Sequence, residues 1–127
     1  QKKYEKKKKK REGRKIIVSS NIRTDQDALV VNYQALINRG YKYFENSTII
    51  LLNLLKRIEV SQITLAGFDG FETHRKSNYT DDTFQNDRHI PEFEDLNAEI
   101  YEMLQSLIST LEGKCKISTI TPSRFFK

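Results

Sequence analysis

Residues 62–71 read QITLAGFDGF, an apolar β-rich run that ends in Gly67 and Gly70 with Phe68 and Asp69 between them. Asp and Gly are common turn formers, so Asp69 can simply close a turn. It can also be a carboxylate delivered to a ligand. Two other short groups raise the same choice. Ser19, Ser20 and Asn21 end the run KIIVSS, and Asn46 and Ser47 precede a leucine-rich stretch. A helix N-terminus with small hydroxyl residues can hold a phosphate or carboxylate, or the same residues can serve only as caps. His74 and His89 lie in a long polar stretch. Histidine is the usual acid or base near neutral pH. His89 is the candidate catalytic residue, because it stands two positions before Pro91 and so has a defined anchor; its competing reading is a solvated loop histidine. Asn78 and Tyr79 in the same stretch offer amide and phenol contacts.

The elements that must position these residues follow from periodicity. KIIVSS (15–20) reads as a strand, and ALVVNY supplies a second over 28–33. The link between them is short for a parallel crossover, so the second strand is expected to be antiparallel to the first or not its neighbour. Asn46 or Ser47 caps a helix over 46–58 whose apolar residues run almost all round it, which predicts a largely buried helix. A strand over 62–66, also expected to be largely buried, is followed by the polar stretch 68–90. Pro91 then opens a helix over 91–112 with one apolar stripe through Phe93, Leu96, Ile100, Met103, Leu104, Leu107, Ile108 and Leu111. Gly113 is placed to end it, and KCKISTIT gives a last strand over 115–121 before Pro122.

Helices alternating with apolar strands predict an α/β, Rossmann-like fold. Its mostly parallel sheet of about four strands is flanked by helices, as in the second half of a doubly wound domain. In such sheets ligands bind beyond the carboxyl ends of the strands. Ser19, Ser20, Asn21, Gly67 and Asp69 are expected at that edge, with Asn46 and Ser47 at the same edge if the crossover is standard. No Gly-x-Gly-x-x-Gly or Walker motif is present, so no complete nucleotide site is claimed, and the identity of any cofactor stays open.

Composition bounds the function classes. The 127 residues suit one domain over 14–127, with a basic arm or linker over 1–13. The net charge of +5 conceals that arm: residues 1–15 carry +8 and the rest −3. Lysines could neutralise phosphates, but no aromatic interleaving or nucleic-acid module accompanies them, so nucleic acid is not an expected partner. The longest mostly apolar stretch, TIILLNLL, is far short of the roughly 20 residues that span a bilayer; no membrane partner is expected. A single cysteine, Cys115, rules out an internal disulfide and is expected to be a buried or half-buried thiol. No metal site is indicated, and a cytoplasmic location is the default. A chain that opens on Gln is expected to be a fragment of a larger polypeptide.

The segment ENSTIILLNLLKRIEVSQITLAGFDGF, followed by NY and later by TITPSRF, resembles an accessory domain C-terminal to bacterial aldolases of the 4-hydroxy-2-oxovalerate aldolase type, in the HMG-CoA-lyase-like group. The resemblance covers about residues 14 to 125. It implies an accessory or ligand-binding α/β domain of an aldolase (a lyase), partnered by the aldolase barrel of the parent chain. It also implies a C-terminal fragment without a complete catalytic site of its own. More distantly, the same segment is similar to pterin-pyrophosphokinase-like and flagellin-modification proteins, and to bacterial sialyltransferases that use a CMP-activated sugar. The last resemblance implies a nucleotide or sugar-nucleotide ligand, with Gly67 and Asp69 near it and His89 as base, and makes a glycosyltransferase the alternative function. Thr48 stands where the relatives tend to have Gly, so close backbone approach of a ligand at that turn is not carried over.

Overall fold

The computed structural model describes residues 15–72 and 90–126, and these fall into two compact units that meet in sequence between Ala35 and Leu36. The basic arm over 1–13, His74, Asn78, Tyr79 and His89 lie outside the described residues.

The first unit is built on a parallel strand pair, β1 (Ile17–Ser19) and β2 (Leu29–Val31), with Ile17 opposite Leu29 and Ser19 opposite Val31. The expectation of an antiparallel or non-adjacent second strand is therefore corrected. Each strand is only three residues long, roughly 10 Å at about 3.3 Å per residue. The loop over 20–28 can retrace that length without a helix. Tyr33 does not end the second strand, as expected, but begins a helical turn, α1 (Tyr33–Leu36). Asn32 makes the switch: its side-chain oxygen accepts from the Gln34 N–H (3.1 Å) and its carbonyl from the Ala35 N–H (3.2 Å). An Asx-type cap thus replaces the strand ladder.

The second unit holds α2 (Ser47–Arg57), β3 (Gln62–Leu65), α3 (Ile90–Leu111) and β4 (Lys116–Thr119). Asn46 caps α2, its side chain accepting from the Ile49 N–H at 3.0 Å. Gly113, at φ +77, ends α3, after which the Lys114 and Cys115 N–H groups return to the Leu111 carbonyl. β3 and β4 pair in parallel, with Ile63 opposite Ile117 and Leu65 opposite Thr119. These residues share one face. Ile63 is buried, and Leu65 and Ile117 pack against a cluster supplied mainly by α3. Phe93, Ile100, Met103 and Leu104 are almost wholly buried there, together with Ile49 and Leu52 of α2.

Two burial expectations are corrected. β3 alternates, with Gln62 and Thr64 exposed on the opposite face, so only one side of the strand is covered. α2 buries Ile49 and Leu52, while Leu51 is 52% and Ile58 61% exposed. Leu51 and Ile58 are seven positions apart, which is one face of a helix, and among the described residues nothing covers that face. Cys115 is half-buried, as expected.

The chain is thus α/β, with short parallel strand pairs and helices. Among the described residues the strands form two separate two-stranded sheets, β1–β2 and β3–β4, in place of the expected sheet of about four. Apolar runs identify strands, but which edge each strand pairs with is decided by contacts distant in sequence. No helix among the described residues is long and apolar enough to cross a membrane.

Candidate functional site at the carboxyl edge of the β3–β4 pair

Because β3 and β4 are parallel, the segments that leave them, 66–72 and 120–126, emerge at the same edge. The two segments are stitched together. The Gly67 N–H donates to the Thr121 hydroxyl (2.8 Å), and the Ser123 hydroxyl donates to the Phe68 carbonyl (2.5 Å). Arg124 Nε donates to the Asp69 carbonyl at 2.9 Å, and its Nη2 lies 3.1 Å from Glu72 Oε1. Below them the Phe68 and Phe125 rings meet with centroids 5.1 Å apart, both buried.

The far end of the first loop is tied to α3. Asn97 faces the Phe71 backbone with both halves of its amide: it accepts from the Phe71 N–H (2.9 Å) and donates to the Phe71 carbonyl (2.8 Å). The Phe71 ring stacks on Phe93 at 5.4 Å. Asn97→Ala is expected to cost about 1–3 kcal/mol, since it strands a part-buried backbone donor and acceptor. A shift in the urea midpoint measures this; a change below about 0.5 kcal/mol, the scale of a neutral surface substitution, would show that the clamp is idle.

Of the sequence-predicted site residues, Gly67 and Asp69 lie on this pinned loop. Asp69 is exposed. Its backbone carbonyl is held by Arg124, while its carboxylate has no hydrogen bond among the described residues. Asn46 and Ser47 begin α2. They stand at the end of α2 distal to the turn 58–61, as Gly67 stands at the distal end of β3. The Asn46 side chain is engaged as a cap, and Ser47 is exposed.

Ser19, Ser20 and Asn21 belong to the first unit, where their side chains serve local bonds. Ser19 Oγ donates to Asn21 Oδ1 (2.6 Å), and Ser20 Oγ accepts from the Tyr33 N–H (3.0 Å). In the second unit Glu99 plays a comparable part, accepting from the Lys42 and Tyr43 N–H groups at 3.0 and 2.6 Å. The Lys42 ammonium, 5.0 Å from the centre of the Tyr43 ring, is held above its ordinary range chiefly by the neighbouring Tyr43 phenol.

Sequence reasoning missed Thr121, Ser123, Arg124 and Asn97. Asn97 had a signal: it lies four residues after Phe93 and three before Ile100, a polar amide on an apolar stripe. A half-buried amide there needs partners. The strap residues had only the local pattern TPSRF after a strand. Among the described residues no group of three or more His, Cys, Asp or Glu could hold a metal ion. No family model, curated protein or solved structure matches this chain.

Proposed function

We propose that this chain is a ligand-binding accessory α/β domain of a 4-hydroxy-2-oxovalerate aldolase-like polypeptide. A polar ligand, a nucleotide or sugar nucleotide in class, sits at the carboxyl edge of the β3–β4 pair. The domain is Rossmann-like in this reading and depends on the parent barrel for aldol chemistry. The observation that carries the reading is the state of Asp69. Its loop is pinned by backbone contacts to Thr121, Ser123 and Arg124, yet its carboxylate is exposed and has no hydrogen bond among the described residues. A turn-forming aspartate spends its side chain on nearby backbone N–H groups; Asp69 does not. A fixed loop with an uncommitted acceptor suits recognition of a donor-bearing ligand, because little ordering cost remains on binding.

The test is a thermal-shift and calorimetric titration of the 127-residue chain with CMP, UMP, ADP and their sugar conjugates, repeated on Asp69→Asn. A ligand at 100 times its Kd stabilises by about 2.7 kcal/mol, a readily measured shift. Asp69→Asn is expected to leave stability within about 0.5 kcal/mol and to weaken binding by about tenfold, the loss of one charge-assisted hydrogen bond. Destabilisation of roughly 0.5–2 kcal/mol, the scale of a lost cap, with binding intact would refute the ligand-facing role. A panel that shifts nothing in the wild type would refute the ligand class.

A further inference from the structure

We propose that segment 121–126 is a strap that sets the position of the Asp69 loop, with Arg124 as its positioning residue. The inference takes its functional meaning from the ligand-facing reading of Asp69; its structural content stands apart from it. Thr121, Ser123 and Arg124 meet Gly67, Phe68 and Asp69 in the same chain order. All three contacts reach loop backbone. The strap therefore fixes the path of the main chain and leaves the Asp69 side chain uncommitted.

The strap has its own anchors. Phe125 is 2% exposed and packs on Phe68, and Gln105 of α3 donates to the Phe125 carbonyl at 3.4 Å. The loop side is shaped to receive it. Gly70, at φ +85, has no room for a methyl group, because a Cβ there would lie 2.7 Å from Arg124 Cδ and 2.8 Å from Phe125 Cζ. Arg124 hydrogen-bonds the loop at two points, Asp69 through Nε and Glu72 through Nη2. An event that withdraws segment 121–126 would release the loop that carries Asp69, so the strap is also the place where a binder of this segment would regulate the site.

Amide hydrogen exchange of the full chain without any ligand tests this. The readouts are the Gly67 and Phe71 amides, both hydrogen-bonded, and the α3 amides over 93–111 as reference. Arg124→Gln is expected to speed exchange at Gly67 and Phe71 about tenfold while α3 stays unchanged. Glu72→Gln removes the charge from an exposed ion pair, which contributes little, and is expected to change exchange less than about twofold. Thr121→Val, which removes the acceptor for the Gly67 N–H, is expected to reproduce the Arg124→Gln effect at Gly67. Unchanged loop exchange in Arg124→Gln, or an equal rise throughout α3, would overturn the proposal. Since no ligand is used, failure here is distinguishable from failure of the Asp69→Asn titration.

Discussion

Phe93→Ala is expected to destabilise the second unit by about 3–5 kcal/mol, the range for truncating a buried phenylalanine. Phe93 is 1% exposed and belongs to the buried cluster, so little of the space it vacates is open to solvent. Its ring also supports Phe71, stacked at 5.4 Å. A small domain is stable by only about 5–15 kcal/mol, so one truncation removes a large part of the total. Denaturant unfolding should show a lower midpoint with an unchanged slope, the signature of lost stability without a change in exposed area. Tyr101→Ala on the same helix is the control. Tyr101 is 42% exposed, and its loss should stay near 0.5 kcal/mol, as for a surface site. Equal effects at the two positions would mean that the Phe93 stripe is not the core.

That stripe was legible because a helix states its own burial. Its apolar period matches the turn of the helix, and Phe93, Leu96, Ile100, Met103, Leu104, Leu107 and Leu111 are all buried. The cap at Asn46 and the stop at Gly113 were legible for the same reason, since both act within a few residues of themselves. α2 was misread where periodicity is silent. A helix apolar on every side does not say which side finds a partner, and Leu51 and Ile58 found none among the described residues. Strand pairing was less legible still. The Leu29 N–H donates to the Ile16 carbonyl, and that of Lys116 to Ser61. No local pattern announces such pairs.

At the site, the loop that carries Asp69 was legible in part. Its turn and its glycines could be seen, but its hold on the rest of the unit runs through the Asp69 carbonyl to Arg124, 55 residues away. A backbone acceptor has no residue type and leaves no mark in a sequence. The three strap residues that hydrogen-bond the loop, Thr121, Ser123 and Arg124, are equally anonymous. What identifies them is that the parallel pairing of β3 and β4 brings both exit segments to one edge.

Gly70→Ala separates the turn from the strap. At φ +85 an alanine incurs about 1–2 kcal/mol of left-handed backbone strain. The added methyl must also displace Arg124 and press on Phe125 Cζ, 2.8 Å away. Arg124 is exposed and can swing aside, whereas Phe125 is buried against Phe68. Overpacking of that kind adds about 1–3 kcal/mol, so the whole change is expected to cost about 2–5 kcal/mol. Gly67→Ala supplies the comparison. Gly67 has φ +69, but nothing lies within 4 Å of its added Cβ, so backbone strain alone, about 1–2 kcal/mol, should remain. If the strap is packed against the loop as described, Gly70→Ala must be the more damaging change. It should also speed exchange at Phe71 more than at the α3 amides, because the clash falls on strap residues. Equal melts for the two alanine variants would mean that Phe125 yields freely, and the loop would then owe its shape to its own turn geometry, leaving Asp69 as a turn residue after all.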